Sequence, residues 1–512
     1  MAASVSRCPP AGLTGRGQVF RYESYRIDAY ASMLTCRYSL DGRPFEEWVT
    51  FSPAASGQWG HWDAAAVSVA ARLVFLLIGV TYYKTAAPPV IDLGQVTLTE
   101  FERDFLRDFY LEGLGEFGYR NGIDLSDLRI TGGVSPEEFD ESSVGQSRQT
   151  ADEYCTDGCR DDPLSPTALS PIPPTVDGDA TPLPRVLIPF GGGIDSIVTV
   201  EMLRRHVDAA LLVVSIQGEV FEAIEPPAAV TGLPVIHVNR ELDRQLLRAD
   251  ELGFLRGHVP VTGILSAIAI MAAVLADRDA VVMSNEWSAS AATLVHDGRP
   301  INHQYSKSAA FEVAFRQVLG DAAADLSAKG AQPGSVPTSS RLPDYFSALR
   351  HRTELWIAKR FAELCQYHGS FRSCNGAFNI VKARRLDHWC GRCDKCCFID
   401  LILAPFLSAT KLDAIFGRRE PLADPSLAEK FRALLGVSAD SRPFECVGEV
   451  GECRAATLLA IGRLDRVGYP LLRDLASEVS ALPDTPDEAE LLRPVDEHFI
   501  PARYAIDELV DG

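Results

Sequence analysis

Two short stretches of this chain carry residue types at spacings that can do chemistry. The first is Pro189-Phe190-Gly191-Gly192-Gly193-Ile194-Asp195-Ser196, set between an apolar run and a helical pattern. Lacking Cβ atoms, three glycines let backbone N–H groups close on phosphate oxygens. The helix behind them turns its free amides and positive dipole end to the same anion. Ser196 adds a hydroxyl donor, and Asp195 can hold magnesium or orient the loop. A turn that only packs strand on helix is the plainer reading, and the Asp-Ser pair tips the balance away from it. The second stretch is Trp389-Cys390-Gly391-Arg392-Cys393-Asp394-Lys395-Cys396-Cys397, with Cys374 upstream. Four thiolates close a tetrahedral zinc site, and these spacings suit a metal knuckle. Cys374, Cys390, Cys393 and Cys396 form the expected set, with Cys397 the substitute for Cys396. A redox pair and an iron–sulfur cluster are the competing chemistries.

Between them lie Ser284-Asn285-Glu286-Trp287-Ser288-Ala289 and Ile301-Asn302-His303-Gln304-Tyr305-Ser306-Lys307-Ser308. The first follows an apolar strand pattern, at the edge where open α/β sheets meet their ligands. The second is too polar for a core helix, and a solvated loop and a binding site are equally good readings of it. His303 titrates near neutral pH and can move a proton, whereas Lys307 or Tyr305 would need a depressed pKa to do so. Lys307 serves as well as a clamp on phosphate or carboxylate. Glu286 can bind magnesium or act as a base.

The elements that must position these groups alternate between strand and helix from Arg185 onward. Val186–Pro189, Leu211–Ser215, Val235–Val238 and Ala280–Met283 read as buried strands, with helices at Ser196–His206 and Val261–Ala276. Such alternation predicts a doubly wound parallel sheet. Ahead of it, residues 1–134 read as an α+β domain, with strands in Val19–Tyr30 and Met33–Phe51, a turn at Asp41-Gly42 and a helix over Thr99–Leu111. Residues 135–184, with seven prolines from Pro163 to Pro184, read as a flexible linker holding the stray thiols Cys155 and Cys159. The α/β unit is expected over 185–320, a loop or insertion over 321–344, the cysteine-rich helical segment over 345–420 and a helical tail over 421–512.

The chain has 512 residues, enough for about three domains, and 46% are hydrophobic, which supplies a large core. Its formal charge of −20 excludes a protein built chiefly to grip a nucleic-acid backbone. Ala64–Val80 and Val261–Leu275 are too short or interrupted to be clean spans and read as buried helices. Twelve cysteines clustered late in a chain this long do not describe a small disulfide scaffold. With no secretory pattern at the start, a cytoplasmic protein without a membrane partner is expected.

The Gly191–Ser196 segment resembles the Ser-Gly-Gly-x-Asp-Ser loop of the PP-loop ATP pyrophosphatases, with Gly191 where that pattern has its first serine. The resemblance implies the adenine nucleotide alpha hydrolase-like fold type. It also implies cleavage of ATP to AMP and pyrophosphate with magnesium, usually by adenylating a carboxylate or carbonyl oxygen. Gly191, Gly192, Gly193, Asp195, Ser196 and Ser215 would then contact the nucleotide. No Gly-Lys-Ser/Thr follows, so the P-loop kinase pattern is absent. The nitrile synthases of the same superfamily carry a comparable cysteine group, so the cluster alone fixes no substrate.

Together with Tyr82-Tyr83-Lys84, these segments resemble the UDP-N-acetylmuramoyl-L-alanyl-L-glutamate epimerase family over about residues 20 to 410. That resemblance implies inversion of the terminal L-glutamate of a nucleotide-linked muropeptide during peptidoglycan precursor synthesis. Asn285, Asn302, Gln304, Tyr305, Ser306, Lys84 and Tyr83 would bind the substrate, and His303, Lys307 and Glu286 would carry the chemistry. A buried tyrosine pair beside a surface lysine is the plainer reading of Tyr82-Tyr83-Lys84. The rival functions are another PP-loop enzyme (nitrile synthase, amide ligase or thiolase) and a non-catalytic nucleotide-binding regulator.

Overall fold

The structure, a computed structural model, describes residues 16–28, 32–52, 63–133, 182–330, 341–379, 381–438, 442–495 and 498–510. Most of the segment read as a linker, with Cys155 and Cys159, lies outside the described residues.

Ten strands form one mostly parallel sheet. In chain order they are β1 (Val19–Asp28), β2 (Met33–Leu40), β3 (Arg43–Ser52), β4 (Val90–Asp92), β5 (Arg129–Thr131), β6 (Arg185–Pro189), β7 (Asp208–Ile216), β8 (Val235–Glu241) and β9 (Ala280–Met283). A two-stranded ribbon, β10 (Leu294–His296) and β11 (Arg299–Ile301), precedes the last sheet strand, β12 (Asp344–Ser347). Spatial order is β12-β9-β6-β7-β8-β3-β2-β1-β4-β5.

The run β12-β9-β6-β7-β8 is parallel throughout. Its strand order reverses between β6 and β9, which opens a crevice beyond their carboxyl ends. Side-chain alternation explains the two covering layers. On β6, Val186 and Ile188 enter a core with the Ile194–Leu203 helix. Leu187 enters the opposite core with the Val261–Leu275 helix. Both faces of the parallel half are therefore buried, as its near-continuous apolar strands require.

At β8 the sheet changes character. β3 pairs with it antiparallel and brings the N-terminal strands into the same sheet. Across this seam Arg240 donates to Glu47 at 2.8 Å, and Tyr82 Oη donates to the other Glu47 oxygen at 2.8 Å. β2 and β3 are joined by Asp41-Gly42, both at positive φ (50° and 81°). That is the primed two-residue turn whose twist suits a hairpin. The apolar stretch Ala64–Tyr83 is long enough to cross a bilayer by composition but is mostly buried, its first helix packed on Val261–Leu275.

One expectation is corrected. Residues 321–330 are not loop: the helix Ala309–Gly330 runs through them. Its glycines and serines suggested a break, but alanine is the strongest helix former, and Ala322 and Leu326 continue the face buried by Phe311, Phe315 and Val318.

Candidate active site

The glycine loop closes the carboxyl end of β6, and the Ile194–Leu203 helix starts directly after it with no side-chain cap. Gly192 sits at φ +72°, and a Cβ there would lie 3.0 Å from the Ala223 carbonyl oxygen. Only glycine takes this position without strain. Ser196 Oγ donates to the Gly193 carbonyl at 3.1 Å. A Cβ on Gly191 would meet open space, so the loop approaches the crevice with bare backbone.

Three carboxylates converge behind the loop. Asp195, Glu286 and Glu354 each offer an oxygen within 4.8 Å of the others. Asp195 comes from the first helical turn after the loop, Glu286 from the segment after β9 and Glu354 from the start of the Glu354–Glu363 helix. Asp195 Oδ1, Glu286 Oε2 and Glu354 Oε2 are buried without a hydrogen-bond partner among the described residues. Burial, then the charge of Glu286, pushes Asp195 up to about 6 against the pull of Lys307 and Lys395. Burial with Asp195 and Glu286 raises Glu354 well above its ordinary value. Burial lifts Glu452 to about 7, although the backbone N–H groups of Glu449 and Glu354 oppose it. Orphaned hard oxygens in this number fit a divalent cation such as magnesium.

This strain has a sign in pH. The unfolded chain releases these protons near pH 4, while the folded chain keeps that of Asp195 up to about pH 6 and that of Glu452 up to about pH 7. Stability of the metal-free protein therefore falls as pH rises through that window. For Glu452 alone the loss is on the order of 3 kcal/mol. We expect a lower melting temperature at pH 7.5 than at pH 5, and a larger gain from magnesium at pH 7.5. A metal-free melting temperature that rises with pH over this range would contradict the cluster's electrostatics.

The trio acts by charge on Lys307. Burial disfavours its ammonium, but Glu286, Cys446, Asp195 and Glu354 together outweigh that and raise its pKa. The shift is opposite to what proton abstraction needs, which favours the clamp. Buried Arg350 clips the backbone around it, donating to the Glu286 carbonyl at 2.9 Å and the Lys307 carbonyl at 2.6 Å, with Glu312 as its own partner at 2.9 Å. Lys395, in the first turn of the Asp394–Leu403 helix, donates to the Cys446 carbonyl and lowers Asp195 and Glu354 by its charge.

His303 belongs to a second cluster, with Glu116 and His258. Its Nδ1 contacts Glu116, and its ring centre is 4.2 Å from that of His258. Burial would lower its pKa, but hydrogen bonds with Cys446 and Glu116 carry it up to about 9. Burial and the neighbouring His303 push His258 down to about 3.

The four expected cysteines, Cys374, Cys390, Cys393 and Cys396, bring their sulfur atoms within 4.8 Å of one another. Cys397, the substitute, is buried outside that group, where burial raises its thiol. The cysteine cluster approaches the glycine loop: Ser373 Oγ faces Gly193, 3.5 Å from where a Cβ would stand. It also sets the helix that carries Lys395.

The remaining expected residues divide. Asn285 N donates to Ser347 Oγ at 2.7 Å, tying the segment after β9 to β12. Asn302 donates to the Ala289 carbonyl at 2.9 Å and accepts from the Gln304 backbone at 2.7 Å, which shapes its own loop. Gln304 Oε1 is buried without a partner among the described residues. Ser306 is buried, and Tyr305 packs on Phe311. Ser215 donates to Asn239 Oδ1 at 3.1 Å near the end of β7. Tyr83 stands in the aromatic core against Phe20 and Tyr110. Lys84 donates to the Gly257 carbonyl at 2.8 Å beside His258, and burial brings it down to about 8. Glu354, Lys395, Glu116, His258, Arg350 and Cys446 were not singled out from sequence. Lys395 lay inside the cysteine run, but nothing in the local pattern marks the others.

Comparison with known proteins covers most of the chain. The family model described as the MurL N-terminal domain matches residues 13–157 and 163–328, and that of the MurL C-terminal domain matches 370–490. Curated relatives named UDP-N-acetyl-alpha-D-muramoyl-L-alanyl-L-glutamate epimerase include one from Xanthomonas oryzae pv. oryzae, 34% identical over 94% of this chain and 95% of its own. One from Salinispora tropica is 34% identical over 96% and 95%, and one from Micromonospora sp. is 32% identical over 96% and 97%. No solved structure matches the chain.

Proposed function

The chain belongs to the UDP-N-acetyl-alpha-D-muramoyl-L-alanyl-L-glutamate epimerase family, and from that premise we propose that it inverts the terminal L-glutamate of UDP-MurNAc-L-Ala-L-Glu at the expense of ATP. The observation that carries the ATP-dependent step is the juxtaposition of the bare glycine loop, an uncapped helix start and three carboxylates, each with one unpartnered buried oxygen among the described residues. The reversal of strand order between β6 and β9 also supports assignment to the PP-loop fold type.

The chemistry follows from charge. A Cα–H beside an ionised carboxylate is very weakly acidic, because its loss builds charge on charge. Transfer of AMP to that carboxylate, with pyrophosphate leaving, removes the charge and frees the carbonyl to accept the carbanion's electrons. The amides of Gly191–Ser196 hold the phosphates, and Asp195, Glu286 and Glu354 would hold magnesium. Magnesium would supply charge neutralisation of the phosphates. Lys307 faces the developing oxyanion, and water releases AMP once the centre has inverted. A groove of about 480 Å³ lined by Glu112, Tyr119, His296 and Arg299 gives the nucleotide-sugar end of the substrate a place to lie. The reading places the enzyme in the cytoplasm, where its nucleotide-linked substrate is made. Incubation with ATP, magnesium and the L-Ala-L-Glu muropeptide, followed by chiral analysis of the glutamate, tests this function. D-glutamate formed together with AMP is the expected result, and retained L-glutamate would contradict it.

The cysteine cluster is read as a structural zinc site that fixes Ser373 and Lys395 against the nucleotide loop. Freshly purified, reduced protein is expected to hold about one zinc per chain. Cys393→Ser should lower zinc content and nucleotide affinity together. Full nucleotide binding by zinc-free protein would refute the positioning role.

A further inference from the structure

We infer that Glu116, His258 and His303 form a further metal site, one that takes a divalent transition ion of the zinc class. It shares no residue with the glycine loop, the carboxylate trio or the cysteine cluster. It goes beyond the epimerase reading and stands independently of it.

The geometry begins with the ligand atoms. Each of the three side chains offers one, a carboxylate oxygen or an imidazole nitrogen, and these atoms lie within 4.8 Å of one another. His303 Nδ1 already contacts Glu116 Oε2, and the His258 ring centre is 4.2 Å from that of His303. A tetrahedral ion bound at about 2.0–2.2 Å holds its ligands roughly 3.3 Å apart, so small side-chain rotations close the set. The three come from separate parts of the chain. Glu116 is in the first turn of the helix Gly115–Asn121, His258 in the loop before the Val261–Leu275 helix and His303 in the loop after β11.

The backbone beneath each ligand is held in place. Asn121 Nδ2 donates to the Phe117 carbonyl at 2.8 Å and to the Arg256 carbonyl at 3.0 Å, which ties the Glu116 helix to the loop of His258. Lys84 donates to the Gly257 carbonyl at 2.8 Å in that same loop. A Cβ on Gly257 would lie 2.8 Å from Phe117 Cδ2, so loop and helix meet at the closest approach that glycine allows. The His303 N–H donates to Thr293 Oγ1 at 3.2 Å, and Asn302 holds the Ala289 carbonyl beside it at 2.9 Å. The second Glu116 oxygen pairs with Arg120 at 2.5 Å, one helical turn on. Ligand carboxylates are commonly oriented by such outer partners.

Donor chemistry selects the ion. Magnesium and calcium are held by oxygens, whereas two of the three donors here are imidazole nitrogens, which suit zinc and its neighbours in the first row. That separates this set from the all-oxygen trio and from the four thiolates. Three protein ligands leave a fourth position to an oxygen of solvent or substrate. Nitrogen and oxygen donors hold zinc less tightly than four thiolates do, so purified protein keeps the cysteine-bound ion and takes this one on loading. The ion would tie the Gly115–Asn121 helix to the loop that reaches Lys307 four residues after His303.

The test adds cobalt(II), and separately zinc, to the purified full chain already holding its cysteine-bound zinc. Excess magnesium is present to fill all-oxygen sites. The expected result is one further cobalt per chain, with the visible d–d bands of a low-coordinate nitrogen–oxygen site and no near-ultraviolet thiolate charge-transfer band. His258→Ala and Glu116→Gln should each weaken that ion by more than the ~10–100-fold that loss of an outer partner costs. Asp195→Ala, which leaves the set intact, should bind it normally. Zinc should raise the melting temperature of the unmodified protein and not that of His258→Ala. No cobalt beyond the cysteine site overturns the inference. Unchanged binding by His258→Ala and Glu116→Gln also overturns it. A thiolate charge-transfer band on the added ion overturns it in favour of cysteine ligation, and loss of the ion in Asp195→Ala overturns it in favour of the carboxylate trio. The spectrum of the unmodified protein decides even where a variant fails to fold.

Discussion

Asp195→Ala is expected to lower muropeptide-dependent AMP release by roughly 10²–10³-fold while the fold persists. Asp195 belongs to both parts of the proposed nucleotide site, as the first-turn residue after the glycine loop and as one of three converging carboxylates. Its removal takes away one of the three carboxylates proposed to hold a divalent cation. It also relieves the repulsion that lifts Asp195 and Glu354, so the metal-free variant should melt at or above the unmodified protein. A functional loss joined to a stability gain separates a ligand from a packing residue. Unchanged turnover would remove Asp195 from the reaction.

Lys307→Met carries the second large effect. The charges of Glu286, Cys446, Asp195 and Glu354 all act on its ammonium, and together they outweigh its burial. Methionine keeps the length and loses the charge. The carbonyl oxygen that becomes negative during proton loss would then lack its neutralising partner, and inversion should fall by at least ~10³-fold. Leaving the carboxylates uncompensated also destabilises the fold, by about 3 kcal/mol for a buried group that loses its partner. Added magnesium should restore part of that stability and little of the rate. Urea unfolding with and without magnesium, beside the rate of D-glutamate formation, reads both. Near-normal inversion by the variant would show that Lys307 is not the clamp.

The two halves of this site differed in how far the sequence exposed them. The glycine loop was legible because its glycines are contiguous, and the structure places them between β6 and the Ile194–Leu203 helix, as their order in the chain suggests. The cysteine set was legible for the same reason: three ligands fall within seven residues, and the structure gathers them with Cys374. The strands from β6 to β9 were legible because both their faces are buried and their apolar runs are uninterrupted. Glu354, Glu116 and Cys446 were not legible, since each joins the site only through tertiary packing. Glu354 opens an ordinary amphipathic helix, and Cys446 comes from a region read as a tail. The joining of the N-terminal strands to the parallel ones hides similarly, because the β3–β8 pairing spans almost two hundred residues and no local pattern signals it. Tyr83 stands where the plainer reading of Tyr82-Tyr83-Lys84 put it, its ring meeting Phe20 and Tyr110 edge-on in the aromatic core.

The central claim is that activation by ATP precedes proton loss, and the direct measurement of it is Cα deuterium in the glutamate recovered from deuterated water. Unmodified protein, magnesium and the muropeptide are incubated with ATP, without it and with a non-cleavable analogue. The account predicts one deuterium at Cα of D-glutamate with ATP and background exchange in the other two arms. Equal deuterium incorporation without ATP would mean that the proton leaves an unactivated carboxylate, which contradicts the account.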